Sequence, residues 1–515
     1  MVDLNGSAVW ALALESAHFP GLLQHQARQI GGQVAWRVAG AQLTIFQWQK
    51  QAERLSEALI HQGVEPGEPV GLWMSDGLAW PVALFGIWGA GAVALPLSAG
   101  LSPGAVAETL RRAGAGRVLV DRPGQLGQAR LVPFGPPGDG LPGPRPWRGG
   151  TVAAGAERLV RMARLNRQSP ALAAPTSGTT GKPRLAMLSH HNLLASAGAR
   201  AMLVKHQPGD LVLSWLPLAH LYALNADILK GLICGVAAAR LPHPAGLFRA
   251  LRRWRPTHLQ AVPRLYEKAW RLAGGENANP ESLQAVFGSR LRWAGCGGAP
   301  LPAWLAAGYA RLGIPILEGY GLTEASPLVT LNTPGACCPG TAGRVVPGME
   351  VTLAADGEIL VRGDGVMRGY LGADGRIDPH TGWLATGDLG AWREGGFLRV
   401  DGRKSETIVL STGRKVMPAK VEAALAALPG VDSAVVLGEG RPRVLALVLP
   451  RPGVSLDWSR LGNLDGLESW EQPARLIVLP RPLSAEWGEL TPLGKVRRDV
   501  VASHFRDLLP PLAGP

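Results

Sequence analysis

The chain has 515 residues, 46% of them hydrophobic and 18% charged. Single hydrophobic cores stop growing near roughly 250–300 residues, and so apolar a composition excludes a disordered chain, so two or more globular domains are expected. The net charge of +13 and sequence pI of about 10.1 favour anionic partners; yet the arginines are spread along the chain, densest in LRRWRP at 251–256, without a zinc-finger, RRM or basic-zipper pattern, which argues for a solubilising surface and against nucleic acid.

The opening MVDLNGSAVWALALESAHF lacks the basic region and apolar core of a signal peptide. Cys234, Cys296, Cys337 and Cys338 form no C-x-x-C pair and have no metal-type histidine spacing, which fits a reducing, cytoplasmic setting. From Phe46 to Ile60 the apolar spacing follows the helical period and predicts a helix, stopped by Gly63 and Pro66; GEPVGLWM then reads as a strand. Residues 77–107 carry no charge, but their glycines and prolines read as a buried helix, a turn and a buried strand rather than a membrane span. Within them Gly89-Ala-Gly91-Ala-Val-Ala94 mimics a dinucleotide fingerprint. That fingerprint should follow a strand and open a helix; here the order is reversed, so the match is chance. FGPPGDGLPGPRPWRGG, residues 134–150, reads as a surface loop.

PTSGTTGKPRLAMLSH, residues 175–190, is not a Walker loop: Gly178 and Gly181 are too close, and Pro183 follows Lys182 where a hydroxyl is required. The chemistry still suits phosphate. Glycines let successive N–H groups converge on an anion, Ser177, Thr179 and Thr180 add donors, and Lys182 adds a compact positive charge. The alternative is a solvated turn between strands. RLAML then reads as a strand, with Ser189 as the cap of a following helix.

Further along, Gly297-Gly298-Ala299-Pro300-Leu301 allows close backbone approach to a ligand. In Ile316-Leu317-Glu318-Gly319-Tyr320-Gly321-Leu322-Thr323-Glu324, glycines flank an aromatic ring on which a base can lie, and Thr323 and Glu324 offer a hydroxyl and a carboxylate. In Trp383-Leu384-Ala385-Thr386-Gly387-Asp388-Leu389, Asp388 offers a carboxylate on what reads by itself as a surface turn. The texture changes near Asp401-Gly402. FLRVDGRKSETIVLSTGRKV reads as two strands around a turn, Pro418 opens a helix with Val421, Leu425 and Leu428 on one face, and DSAVVLG and RVLALVLP are strands. Near the end, Lys495 stands in LTPLGKVRR, where a lone lysine before two arginines reads by itself as a solvated helix start.

In combination and order, these runs resemble the adenylate-forming enzymes: acyl-CoA synthetases, adenylation domains of peptide synthetases and firefly luciferase. The resemblance spans about Leu43 to Val500. Ser214–Tyr222 and Val262–Lys268 look most like acyl-CoA synthetases acting on medium or long chains. It implies an α/β fold, with a large multi-layer N-terminal domain (1–401) and a small mobile α+β lid (402–515). It implies that Thr176, Ser177, Gly178, Thr179, Thr180, Gly181 and Lys182 hold ATP phosphates. Gly298, Ala299, Gly319, Tyr320 and Gly321 would serve the adenine, Thr323 phosphate, Asp388 the ribose, and Arg403 ribose or phosphate. Glu324 with Thr179 would hold Mg²⁺, and Lys495 would catalyse adenylation. His220 either lines the acyl pocket or is a hydrogen-bonded core histidine.

The implied partners are a carboxylic acid, ATP and coenzyme A, with no nucleic acid, in the cytoplasm or peripherally at the inner membrane face. Departures from the family pattern are Arg184-Leu185 in place of Lys-Gly, Ser405 in place of a hinge Asp or Lys, and a mixed Leu-Gly before Lys495. The rival readings are a carrier-protein acyl ligase and a non-catalytic nucleotide or acyl binder on the same fold.

Overall fold

The uncharged stretch folds as a helix over Ala79–Gly89 and a strand over Val93–Pro96, every residue of which is buried. The computed structural model describes residues 12–13, 15–121, 130–133, 152–176, 184–372, 375–451, 453–454, 464, 466–484, 486–490 and 496–510. The 134–150 loop lies outside them. The Ala79–Gly89 helix lies against the helix Ile45–His61, which the apolar spacing from Phe46 to Ile60 predicts. Two glycines allow the close approach: a Cβ at Gly86 would stand 2.5 Å from Leu55 Cδ2, and one at Gly89 2.3 Å from Ser56 Oγ. Phe85 sits between Trp48 and Trp88, with ring centroids 4.7 and 5.0 Å away. Both indoles donate to backbone oxygens, Trp48 to Pro81 (3.1 Å) and Trp88 to Ala171 (2.7 Å), so these buried rings leave no donor unpaired. The fingerprint mimic thus ends a helix and enters a strand, the reverse of a phosphate site. Among the described residues no helix is long and apolar enough to cross a membrane.

Contact density divides the chain into one unit of Met1–Thr352, Leu360–Thr386 and Trp392–Leu398, and a second of Leu353–Ile359, Gly387–Ala391 and Arg399–Pro515. The first holds a nine-stranded sheet in the order Arg344–Val345, Leu328–Leu331, Ile316–Gly321, Trp293–Cys296, His258–Ala261, Leu211–Ser214, Ala237–Arg240, Val34–Val38 and Ala41–Thr44. From Ile316–Gly321 to Val34–Val38 the pairings are parallel, and both edges turn antiparallel. The inner strands are buried on both faces, as parallel strands covered by helices should be.

An eight-stranded sheet runs Ile377–Pro379, Gly369–Leu371, Leu185–Ser189, Pro170–Pro175, Val93–Pro96, Pro69–Leu72, Arg117–Val120 and Arg130–Pro133. Leu185–Ser189 pairs antiparallel on both edges, with Leu188 opposite Leu172 and Ala186 opposite Tyr370. Ser189 caps the helix His190–Leu203 as its sequence suggests, in a reciprocal box with Asn192. The Asn192 amide also donates to Asp364 O (2.7 Å) and Val366 O (2.9 Å), tying the segment before Gly369–Leu371 to this helix.

In the second unit the helix Pro418–Ala426 opens on its proline and turns Val421 and Leu425 into a core shared with Val431–Leu437 and Leu445–Pro450, against which Leu428 is half-buried. Those strands pair antiparallel, Arg475–Val478 joins in parallel, and Ile408–Val409 pairs with Lys415–Val416. Arg498 grips Glu422 (2.7 and 2.8 Å) and Glu406 (3.1 Å).

Spacing does not reveal a buried charged cluster at the foot of the nine-stranded sheet. Arg292 Nη2 donates to both oxygens of Asp210 (2.8 and 2.6 Å) and lies 3.0 Å from His258 Nε2, with His206 Nδ1 3.5 Å from the same carboxylate. Burial pushes His206 down to about 4 and His258 to about 2, helped by the positive charges of Lys230 and Arg292. Burial likewise holds His190, packed on Trp88, down at about 3.

These imidazoles are neutral in the folded protein, whereas the unfolded chain takes up protons near pH 6.5. Their folded values are depressed, so the stability they contribute is complete above that pH and is lost as pH falls toward 4. The loss is about 1.4 kcal/mol per pH unit for each proton taken up on unfolding. On this account alone the urea midpoint drops between pH 6.5 and 4.5, and ring signals of these three histidines that titrate near pH 6.5 in the folded protein would contradict their buried, neutral state. Asn192→Ala removes a cap and leaves two backbone oxygens unpaired, a loss of about 2–4 kcal/mol against about 1 kcal/mol for Ser189→Ala. Equal shifts in chemical denaturation would mean that the tie to residues 364–366 contributes nothing.

Candidate active site

Parallel strands present their carboxyl ends along one edge of a sheet, where ligands of α/β proteins bind. Here Leu211–Ser214, His258–Ala261, Trp293–Cys296 and Ile316–Gly321 end together, because Leu213 pairs with Leu259, Ala261 with Cys296 and Cys296 with Glu318. The segments that follow are those the sequence singles out: His220 and Tyr222, Val262-Pro263, Gly297–Ala299, and Tyr320 to Glu324. Tyr222 packs against the second of these strand ends, donating to Gln260 Oε1 at 2.9 Å. A Cβ at Gly297 would lie 3.5 Å from the Tyr222 ring and 3.6 Å from Gly319 O, so the glycine loop, Tyr222 and the Tyr320 strand form one wall. Gly298 takes a left-handed φ of 83°, which a glycine adopts at no steric cost.

The glycines around Tyr320 also meet a steric demand of the fold itself. A Cβ at Gly321 would stand 1.7 Å from Pro327 O, and one at Gly319 3.0 Å from Leu331 Cδ1. The neighbouring antiparallel strand Leu328–Leu331 demands both. Glu318, just before Gly319, is half-buried and accepts from Leu301 N at 3.1 Å, which fastens the glycine loop to the strand. Burial pushes its carboxyl up to about 8, so it is largely protonated at neutral pH.

Thr323 and Glu324 lie in the single 3-10 turn Thr323–Ala325. Two bonds hold Glu324. Its backbone oxygen accepts from Met367 N (2.8 Å), and its Oε1 accepts from the Tyr370 hydroxyl (2.9 Å). The Arg184 guanidinium covers the Tyr370 ring, 3.3 Å from its centroid. Thr176 is buried, and its N–H donates to Arg184 O at 2.8 Å, closing the two ends of the glycine-threonine loop. Ser177, Gly178, Thr179, Thr180, Gly181, Lys182 and Pro183 lie outside the described residues, as does Lys495.

His220 is exposed, and its Nδ1 accepts from Tyr222 N at 3.3 Å, so it caps a short helical turn and is not a core histidine. In the second unit, Asp388 is buried and forms an ion pair with Arg403 Nε at 2.8 Å. Beside it Gly387 N donates to Glu358 Oε1 (2.9 Å), and Lys404 bridges Glu358 and Asp356. The structure thus groups Thr176, Gly298, Gly319, Tyr320, Gly321, Thr323 and Glu324 in the first unit, and pairs Asp388 with Arg403 in the second. Tyr370 and Arg184 escape sequence reasoning as site neighbours, although the departure at Arg184 is visible.

A family model described as AMP-binding enzyme matches residues 23–371, and one described as AMP-binding enzyme C-terminal domain matches 405–461. Long-chain-fatty-acid–CoA ligase FadD15 of Mycobacterium bovis is 30% identical over 536 residues, covering 87% of this chain and 88% of its own. A Mycobacterium tuberculosis enzyme named as the CoA ligase of a methyl-dioxo-octahydroindenyl propanoate is 32% identical, covering 85% of this chain and 90% of its own. Among solved structures, the anthranilate CoA ligase AuaEII in complex with anthranoyl-AMP superposes with a TM-score of 0.78 at 22% identity, covering 95% of this chain and 97% of that one. That likeness bears on the fold, and the sequence matches carry the kinship: this chain is a member of the AMP-binding enzyme family.

Proposed function

We propose that the chain activates a medium- or long-chain fatty acid with ATP and passes the acyl group to coenzyme A. In the first step a carboxylate oxygen attacks the α-phosphorus, and the bond from that phosphorus to the α,β-bridging oxygen breaks to release pyrophosphate and leave acyl-AMP. In the second, the coenzyme A thiolate attacks the acyl carbonyl and expels AMP. The observation that carries this reading is the convergence of Gly298, Tyr320, Thr323 and Glu324 at adjacent parallel strand ends, in a chain similar over most of its length to fatty-acid–CoA ligases.

In this reading Tyr320 and the Gly298-Ala299 loop flank the adenine, and the loop from Thr176 to Lys182 takes the β- and γ-phosphates. Thr323 donates to phosphate, and Asp388 with Arg403 binds the ribose. Lys495 draws the acid and the α-phosphate together. The residues suit Mg²⁺, which prefers hard oxygen ligands: Glu324 offers a carboxylate with Oε1 already engaged by a phenol, and Thr179 a hydroxyl. Bound there, the ion would neutralise phosphate charge. The domain scheme belongs to the same proposal, with residues 402–515 as a lid that rotates between the two half-reactions. So does peripheral attachment to an anionic membrane face, supported by the net charge of +13.

The test is a panel of acids from acetate to oleate, including a bicyclic propanoate, with ATP, Mg²⁺ and coenzyme A, read by mass spectrometry for AMP and acyl-CoA. A chain-length optimum is expected, with Lys495→Ala slowing acyl-AMP formation at least about a hundredfold. Acyl-AMP without thioester would move the acceptor to a carrier-protein phosphopantetheine. No AMP from any acid would overturn the ligase reading.

A further inference from the structure

Arg184 departs from the lysine expected after the loop proline, and the structure gives it a specific contact. Its guanidinium carbon stands 3.3 Å from the centre of the Tyr370 ring, and the Tyr370 hydroxyl donates to Glu324 Oε1 at 2.9 Å. The backbone secures both ends of this chain of contacts. Tyr370 is opposite Ala186 in the antiparallel ladder, Met367 N holds Glu324 O at 2.8 Å, and Arg184 O receives the N–H of Thr176 across the neck of the loop. We infer that Arg184 and Tyr370 are positioning residues that fix the Glu324 carboxylate and tie its orientation to the backbone contact between Thr176 and Arg184. The inference rests on the proposed role of Glu324 as the carboxylate for Mg²⁺·ATP.

The physical reasons are specific to these groups. A glutamate side chain loses considerable rotamer freedom when it is ordered, and a partner that orders it beforehand removes that cost from binding. The phenol bonds Oε1, and Oε2 is the second acceptor of the carboxylate. A planar cation on the ring face is attracted to the ring quadrupole and polarises the O–H toward stronger donation. Lysine keeps the charge but cannot stack as a plane, so Arg and Lys are not equivalent here. A purely packing role for Tyr370 would involve its ring and not its hydroxyl.

Mn²⁺ serves as the probe, its affinity read by electron paramagnetic resonance on the full chain with α,β-methylene-ATP bound. Tyr370→Phe should weaken Mn²⁺ about tenfold, the size expected for one hydrogen bond to a charged group, and should leave binding of the metal-free nucleotide in EDTA unchanged. Arg184→Lys, at an exposed position, should weaken Mn²⁺ about threefold with an unchanged melting temperature. Glu324→Gln should weaken it at least as much as Tyr370→Phe. If Glu324→Gln weakens Mn²⁺ while Tyr370→Phe and Arg184→Lys stay within twofold of the parent, the positioning role is wrong and the metal role of Glu324 stands. If Glu324→Gln has no effect, the metal role fails and the positioning inference with it. Should Tyr370→Phe not fold, Arg184→Lys alone carries the same comparison.

Discussion

The pairing of Leu185–Ser189 on both of its edges holds the candidate site together. All five of its residues are buried, so a slip of one position would exchange the faces on which Leu185 to Leu188 pack and displace the Ser189 cap. Its first edge residues stand beside Tyr370, its last residue caps a helix, and that helix returns through Asn192 to the backbone at 364–366. The same segment reaches Glu324 through Met367 and Tyr370. A short run of apolar residues thereby sets the position of a charged group well over a hundred residues away in sequence.

The second constraint is crowding around the Ile316–Gly321 strand. It passes from parallel pairing with Trp293–Cys296 to antiparallel pairing with Leu328–Leu331, and the register shifts between Tyr320 and Gly321. The turn back is tight enough for Pro327 O to occupy the space of a side chain at Gly321. The aromatic ring is thus presented by a backbone that no larger residue could follow, and its orientation comes from strand geometry as much as from any ligand.

Much of this was legible in the sequence because it depends on local rules. Helical spacing located Ile45–His61, the uncharged run located the buried Ala79–Gly89 helix, and Ser189 and Pro418 marked helix starts. The motif residues at the strand ends were legible by their resemblance to a family, not by any physical rule applied to each alone. What escaped were pairings between distant positions. Arg184 with Tyr370, Glu318 with Leu301, and the Asp210, His258 and Arg292 cluster each join residues whose separation carries no periodic signal. The steric demand for the glycines beside Tyr320 also escaped, because exclusion by a neighbouring strand is a tertiary fact. His220 was read as lining a pocket or filling a core; its exposure sets the second aside, and its capping contact depends on a turn that the sequence does not announce.

The proton on Glu318 has a further electrical consequence. Its buried carboxyl is held up at about 8, so near neutrality it sits on the strand mostly without charge, while six residues later Glu324 lies in a half-exposed turn. The carboxyl beside the glycine loop therefore adds little negative charge near neutrality, while Glu324 offers its carboxylate at the turn beyond. In the orientation proposed for the nucleotide, this would leave little repulsion at the nucleoside end and place the need for a countercation at the phosphate end. In this way a single acid withheld from ionisation gives the site an electrostatic polarity along its length.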